Sequence, residues 1–335
     1  MAETFSAPSY SIEKYASYRP SYPPELYQAV MGYHRGSGEL AVDLGCGTGI
    51  VSAELVRQGY FDRVVGVDPS KPMLDYAKKT VAGAEFVHGR AESLPWIADS
   101  SVDLLAAGTS GEKFMPQVKR RQETTHRIFA SCLRLIFLNP PVTLAHWFDP
   151  IWWKEAGRIL KPQGTLAVFI YGGLWPGHPC AQKLRATMFS FAEELGFSSV
   201  GNRICHHMYD ELPLPDMGDK GSLGDFERID WNRDGCGDRL AMADRMKLRE
   251  WKLNQSILLF AIVNRENALV HMALPIDGDL AKNPTKVGDK LFDPVEKTLS
   301  ALKTVLETDD DETEIVCGHS LSLLMFRRRA IGTEE

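Results

Sequence analysis

The sequence predicts an α/β fold built on a mainly parallel sheet. Two observations lead to this prediction. Short apolar runs alternate with helix-patterned segments between residues 36 and 205, and a glycine-rich turn joins the first run to the first helix. This alternation is typical of parallel sheets, because parallel neighbours need a crossover, which is usually a helix. The 335 residues, 44% of them apolar, are enough for one or two domains with a sizeable core.

Each predicted element has its own local signal. An extended arm ends at Pro24, which favours a helix from there to about Tyr33, because proline fits the first turn of a helix. Apolar runs predict strands at 39–44, 63–67, 85–88, 102–107 and 164–171. Helical spacing predicts helices at 48–58, 71–81 and 152–160. After residue 172 the pattern is weaker and predicts helices at 182–195 and 293–306 and strands at 226–231 and 315–326.

Composition and charge argue against several classes of partner. The chain has 38 Lys and Arg against 44 Asp and Glu, whereas a general nucleic-acid binder would be basic. The longest apolar stretches, 128–138 and 257–263, fall short of the roughly 20 residues that a membrane helix needs. The six cysteines are scattered without a Cys-x-x-Cys pair, so we expect no metal site and a cytoplasmic location. We further expect no nucleic-acid or membrane partner, and a monomer or homodimer.

The glycine-rich turn directly follows the first predicted strand and contains Gly45, Gly47 and Gly49. Glycines there permit a tight turn and close approach of a ligand to the backbone. The dinucleotide fingerprint is not satisfied, because Ile50 stands at its third glycine, and no Gly-Lys-Ser/Thr of a phosphate loop follows. Asp43 ends the strand two residues earlier. Its carboxylate suits a ligand that carries positive charge and repels a pyrophosphate.

Two further segments extend this candidate site. Asp68 ends the second strand, 19 residues after Gly49, where a carboxylate can accept hydrogen bonds from two ribose hydroxyls. The segment HGRAESLPW, residues 88–96, follows the third strand and places Ala91 and Glu92 beside an adenine. Met73, in the helix after the second strand, completes the predicted cofactor-binding set.

Taken in order, these motifs resemble the class I S-adenosylmethionine-dependent methyltransferases. The segment EAGRILKPQGTLAVFIYG, residues 155–172, is similar to the helix, turn and fifth strand of that fold. The resemblance implies a Rossmann-like sheet of seven strands, mostly parallel with the last strand antiparallel. It also implies helices on both faces, a small substrate cap, and S-adenosyl-L-methionine across the carboxyl ends of strands one, two and four.

Two stretches resemble a narrower group, the fungal trans-aconitate methyltransferases and their type 11-like relatives. These are YASYRPSYPPELY at 15–27 and AHWFD at 145–149. The resemblance implies a flap over the cofactor formed by Tyr15, Tyr18 and Arg19. His146 is either a catalytic base or a packed residue that holds its loop, and Trp147 is a pocket wall. Arg19 is the candidate for selecting a carboxylate.

The resemblance therefore implies transfer of a methyl group to a small molecule, first of all to the carboxylate oxygen of an organic acid. Two alternatives stay open. One is a secondary-metabolite methyltransferase of the same fold that acts on a phenol or amine, for which His146 would serve as the base. The other is a product that binds the cofactor but is inactive.

Two segments depart from the family pattern and shape the predicted domain organisation. The predicted units are an N-terminal arm and helix (1–35), a cofactor-binding core (36–205), an irregular substrate cap (206–312) and a final core strand (313–330). The core is interrupted at 109–143, where six Lys or Arg stand against two Asp or Glu. The interruption is interpreted as translated intron sequence or as a genuine lid loop. The cap contains a second atypical stretch at 254–281.

Overall fold

The computed structural model describes residues 12–13, 16, 21–108, 148, 150–177, 179–183, 186, 204, 207–218, 222–233, 241–247, 286–287, 290–291 and 294–330. In chain order the elements are α1 (Pro24–Tyr33), β1 (Leu40–Leu44), α2 (Ile50–Gln58), β2 (Arg63–Asp68), α3 (Lys71–Thr80), β3 (Glu85–His88), β4 (Val102–Ala107), α4 (Trp152–Ile159), β5 (Leu160–Pro176), β6 (Leu223–Trp231), β7 (Ala241–Lys247), β8 (Lys286–Val287), β9 (Lys290–Leu291), α5 (Pro294–Leu306) and β10 (Glu314–Arg328).

Several boundaries differ from the sequence-based expectation, and those of α2 and β5 have a clear structural reason. Helix α2 begins at Ile50 rather than at Thr48, because the backbone of Gly49 is left-handed, with φ of 85°, and cannot belong to a right-handed helix. Strand β5 is longer at both ends than the predicted 164–171. Residues Thr165 to Pro176 pair with the long strand β10, and this pairing accounts for the extension of β5 beyond residue 171. Most of the predicted helix at 182–195 lies outside the described residues.

The main sheet has the order β3-β2-β1-β4-β5-β10-β6. Strands β1 to β5 are parallel to their neighbours in this order, whereas β10 is antiparallel to β5 and β6. An eighth strand, β7, pairs with the amino-terminal half of β10, on the same edge that β6 occupies further along. The expected seven-stranded arrangement with an antiparallel last strand is therefore confirmed, with β7 as an addition.

Helices cover both faces of the sheet. Side chains alternate along a strand, so Ala41 and Asp43 of β1 point to one face, and Val42 and Leu44 point to the other. Ala41 belongs to a buried cluster with residues of α1 and α2. Val42 and Leu44 belong to a second cluster, which includes Trp152 and other residues of α4. The carboxylate of Asp43 therefore lies between the sheet and the helices α1 and α2, at the end of β1.

A polar network lies at the amino-terminal ends of the parallel strands, opposite the end that carries Asp43. The Asp103 carboxylate is fully buried and accepts hydrogen bonds from Ser37 Oγ (2.7 Å), the Leu40 backbone N–H (3.0 Å) and Lys161 Nζ (3.0 Å). His34 lies beside it, with Nδ1 2.9 Å from Thr165 Oγ1 and Nε2 3.2 Å from the Ser37 carbonyl oxygen. Burial lowers the pKa of His34, so the ring is neutral at neutral pH.

No helix in the described ranges is both long enough and apolar enough to cross a membrane.

Candidate cofactor site

The candidate site lies where the strand order reverses. Strand β1 is followed along the chain by β2 on one side, and β4 is its neighbour on the other side. In open α/β sheets, ligands bind outside the carboxyl ends of the strands at such a switch point. The glycine loop, residues 45–49, occupies this position and leads from β1 into α2.

The three glycines of the loop have left-handed backbones, with φ of 64° at Gly45, 53° at Gly47 and 85° at Gly49. Their surroundings differ. A Cβ atom added to Gly49 would approach Phe86 Cζ and Val81 Cγ2 to 3.1 Å, so this glycine allows the loop to pack on its neighbours. A Cβ atom added to Gly47 would meet no atom within 4 Å. Gly47 therefore borders open space that a ligand can fill at close range.

Asp68 lies against this loop. Its Oδ2 accepts a hydrogen bond from the Gly47 backbone N–H at 2.9 Å, and its Oδ1 accepts one from the Ser70 backbone N–H at 2.7 Å. The residue is 7% exposed. The carboxylate thus links the end of β2, the loop and the start of α3. Asp68 is held next to the open side of Gly47, as its predicted role at the ribose requires.

Asp43 lies deeper and is almost completely buried. Its Oδ2 accepts a hydrogen bond of 2.7 Å from Ser52 Oγ in the first turns of α2. Burial, and then the neighbouring carboxylates of Asp43 and Asp68, raise the pKa of the Cys46 thiol well above its usual value. Cys46 is therefore a protonated, unreactive packing residue of the loop. Ser52 was not predicted from the sequence, since its role depends on how α2 packs on β1.

The remaining predicted cofactor residues lie in α3 and in the loop after β3. Strand β3 pairs with β2, and the Gly89 backbone N–H donates to the Asp68 carbonyl oxygen at 3.2 Å. Ala91 in the following loop is buried, and the Glu92 carboxylate is 3.6 Å from Arg90 Nε. Met73 is buried in α3. The structure therefore gathers the predicted residues Asp43, Gly45, Gly47, Gly49, Asp68, Met73, Ala91 and Glu92 around the carboxyl ends of β1, β2 and β3.

The predicted acceptor and flap residues lie outside the described residues. They are Tyr15, Tyr18, Arg19, His146 and Trp147.

An aromatic row that was not predicted borders the switch point on the other side. The Tyr22 ring packs edge-on to Phe169 at 4.7 Å and lies 5.6 Å from the Tyr171 ring. The Tyr171 ring is in turn 5.4 Å from the His319 ring, whose Nδ1 is 3.2 Å from the Gly172 carbonyl oxygen. Nδ1 therefore carries a proton, and a neutral ring has its lone pair on Nε2.

The row begins beside the end of β4. Gly108 directly follows this strand, and a Cβ atom built on it would lie 3.3 Å from the Tyr22 hydroxyl oxygen. Tyr22 lies in the stretch at 15–27 that resembles the fungal group, and this resemblance was the one sequence signal that pointed to Tyr22. Tyr171 and His319 meet only because β5 pairs with β10, so no local pattern could have indicated them.

A comparison with known families agrees with this arrangement. The family model of a methyltransferase domain matches residues 41–135, a range that holds the glycine loop, Asp68 and the loop after β3. This match, together with the order and direction of the strands, is that of a class I S-adenosylmethionine-dependent methyltransferase domain. The cofactor of this class is S-adenosylmethionine, and the glycine cradle and the two buried carboxylates fit it.

Individual relatives agree with this assignment. The probable S-adenosylmethionine-dependent methyltransferase CRG1 of Saccharomyces cerevisiae is 38% identical over 173 residues, which cover 48% of this chain and 58% of the yeast protein. Demethylmenaquinone methyltransferase of Thermotoga maritima is 27% identical over 139 residues, 42% of this chain and 57% of that protein. The chain thus spans little more than half the length of these curated relatives.

The fold has a counterpart among solved structures. A structure assigned to a type II methyltransferase from Anaeromyxobacter dehalogenans has a TM-score of 0.54 and 17% identity, and the match covers 93% of this chain and 98% of that chain. At this identity the likeness shows the fold alone.

Proposed function

We propose that the protein transfers the methyl group of S-adenosylmethionine to an oxygen of a small molecule, first of all to the carboxylate of an organic acid such as trans-aconitate. The observation that carries the proposal is the pairing of Gly47 with Asp68. An open glycine cradle and a carboxylate bonded to its N–H lie together at the switch point of the sheet.

Each residue of the site has a task in this proposal. The Asp68 carboxylate receives the ribose hydroxyls, and Ala91 and Glu92 lie along the adenine. Asp43 carries negative charge at the end of β1, where Ser52 fixes its orientation, and it favours the positively charged part of the ligand. Met73 supports the site from α3. The glycine loop allows the backbone to approach the ligand without side chains between them.

Positioning is the main contribution of the protein to the reaction. Bound S-adenosylmethionine supplies a methyl carbon that is already activated by a positive sulfur. The site has to hold an acceptor oxygen in line with that carbon, and such positioning can lower a barrier by about 7–11 kcal/mol. A carboxylate acceptor, with a pKa of about 4, is already ionised at neutral pH and needs no base.

The acceptor lies on the aromatic row of Tyr22, Tyr171 and His319 in this proposal. The row starts at the end of β4, next to the cradle, and offers flat rings with polar atoms at their edges. Such a surface suits a planar, oxygen-bearing molecule. Tyr15, Tyr18 and Arg19 would close over it as a flap, with Arg19 as the partner of the carboxylate. His146 and Trp147 are further proposed residues of the acceptor side.

The first experiment is a calorimetric titration of the full chain with S-adenosylhomocysteine. We expect micromolar binding with one site per chain. No binding by a chain that circular dichroism shows to be folded would contradict the proposal.

A second experiment identifies the acceptor. The chain is incubated with S-adenosylmethionine labelled in the methyl group and with separate panels of organic acids, phenols and amines. We expect labelled esters from the acid panel. Labelled aryl ethers or methylamines alone would instead support the phenol or amine alternative. Cofactor binding without transfer to any panel would support the inactive alternative.

A further inference from the structure

A pair of charged residues on α4 holds the loop that follows β3. Glu155 Oε1 accepts a hydrogen bond from the Leu94 backbone N–H at 2.6 Å. Arg158 Nη2 donates to the Leu94 carbonyl oxygen at 3.0 Å, and Arg158 Nη1 donates to the Ile97 carbonyl oxygen at 3.0 Å. Both backbone polar groups of Leu94 are therefore bound by side chains of one helix turn.

The two side chains also bind each other. Arg158 Nε and Nη2 donate to the two carboxylate oxygens of Glu155 at 2.9 and 2.8 Å, a bidentate pair. The pair is only partly exposed, with 15% of the Glu155 side chain and 30% of the Arg158 side chain open to solvent. Bidentate geometry restricts both side chains to one arrangement. The pair is therefore a rigid clamp rather than a mobile surface ion pair.

Glu155 and Arg158 each shift the pKa of the other, so both stay charged at pH values near 7. The hydrogen bonds from Arg158, opposed by burial and aided by the Leu94 N–H, lower the pKa of Glu155. The hydrogen bond to Glu155 raises the pKa of Arg158. Both partners stay ionised, so the bonds to the loop are charge-assisted and stronger than bonds between neutral groups.

Helix α4 has apolar side chains of its own that hold it on the sheet. Trp152, Ala156 and Ile159 of this helix are almost fully buried in the core and fasten it there. Glu155 and Arg158 instead reach a segment 61 residues earlier in the chain. The segment they fasten begins at Gly89, whose N–H is bonded to the Asp68 carbonyl oxygen, and contains Ala91 and Glu92.

We propose that Glu155 and Arg158 are positioning residues for the base of the cofactor. By fixing Leu94 and Ile97, they hold the loop in the shape in which Ala91 and Glu92 lie against the adenine. Neither residue contacts the cofactor itself. This inference rests on the proposed function, because it assigns a task within the same cofactor site.

The proposal predicts an effect confined to one part of the ligand. Without the clamp, the loop occupies its binding-competent shape only part of the time. The apparent affinity then falls in proportion to the fraction of time that the loop spends in that shape. Only ligands that have the adenine use this loop. The cradle at Gly47 and the carboxylate of Asp68 are unchanged, so a ligand without the base is bound as before.

The test compares two ligands in Glu155→Gln, which keeps the shape of the side chain but loses its charge. The ligands are S-adenosylhomocysteine and S-ribosylhomocysteine, which lacks the adenine and is measured by competition at high concentration. We expect the affinity for S-adenosylhomocysteine to fall about tenfold, because the loop then keeps its competent shape roughly a tenth of the time. The affinity for S-ribosylhomocysteine should not change. Arg158→Lys, which keeps the charge but loses the fork, should behave in the same way and serves if the first variant does not fold.

Asp99→Asn is the matched control. Asp99 also pairs with Arg158, but its side chain is 75% exposed, and its loss leaves both bonds to Leu94 in place. It should bind both ligands as the unmodified chain does. Equal losses for the two ligands in folded Glu155→Gln, or no loss for either, would overturn the positioning role. Failure of the unmodified chain to bind S-adenosylhomocysteine would instead overturn the proposed function, and the inference with it.

Discussion

Replacement of Gly47 by alanine tests the cradle most directly. The change adds a single methyl group on the side of the loop where no atom lies within 4 Å. Within the chain the methyl group therefore meets no obstacle. Its effect on stability comes from the backbone alone, and its effect on binding comes from whatever ligand occupies the open space.

The two effects have different magnitudes. The backbone of Gly47 has φ of 53°, and an alanine in the left-handed region costs about 1–2 kcal/mol of the free energy of unfolding. If the cofactor approaches the Gly47 backbone, the methyl group overfills the contact, which typically costs about 1–3 kcal/mol. That loss corresponds to a decrease in affinity of roughly fivefold to 150-fold.

Gly59 provides a matched control. It lies after the last turn of α2, with φ of 63°, and a Cβ atom there would also meet nothing within 4 Å. Gly47→Ala and Gly59→Ala should therefore lose similar amounts of stability. Urea unfolding measures that loss for both variants, and calorimetric titration with S-adenosylhomocysteine measures the affinity of each.

We expect the affinity for S-adenosylhomocysteine to fall in Gly47→Ala and to stay unchanged in Gly59→Ala. Equal affinities in the two variants would refute the reasoning, because the open side of Gly47 would then not face the cofactor. Gly49→Ala completes the series. It should destabilise the protein more than either variant, since its methyl group would press on Phe86 and Val81 at 3.1 Å.

Two further predictions concern Asp68 and His34. Asp68→Ala removes the acceptor of two backbone N–H groups and the proposed ribose ligand, so calorimetry should show a 10- to 100-fold loss of affinity for S-adenosylhomocysteine, or about 1.5–3 kcal/mol. Asp75→Ala, an exposed carboxylate in α3, should show none, and unchanged binding by Asp68→Ala would disprove the ribose assignment. For His34, burial lowers the pKa, so the unfolded chain binds this proton more readily, and the free energy of unfolding should be constant above pH of about 6.5 and decrease below it. His34→Gln should lack this part of the decrease, and an unchanged pH profile in that variant would contradict the assignment.

Much of the cofactor half could be predicted because its signals are local. Apolar runs and glycine positions depend on neighbours in the chain, so the bounds of α1 and β3 agree with expectation and those of β1, β2 and α3 differ by one residue. The turn at Gly45 follows for the same reason. A left-handed backbone favours glycine, and the glycines of this turn are visible in the sequence.

The acceptor side could not be predicted in the same way. Tyr171 and His319 meet because β5 and β10 run side by side, and the register of that pair shifts next to them. A one-residue change in register would send His319 to the other face of the sheet. The sequence shows the residues but not the register.

The cofactor site likewise contains residues that local sequence patterns indicate and residues whose contacts depend on tertiary packing. The amino-acid sequence alone indicates the class of fold, the glycine cradle and the two carboxylates at the ends of β1 and β2, because strand ends and turns are short-range features. It does not indicate that Ser52 orients Asp43, or that Glu155 and Arg158 hold Leu94. The first bond joins consecutive elements and the other two span 61 and 64 residues, but all of them exist only once the helices have packed on the sheet and buried side chains have taken single positions.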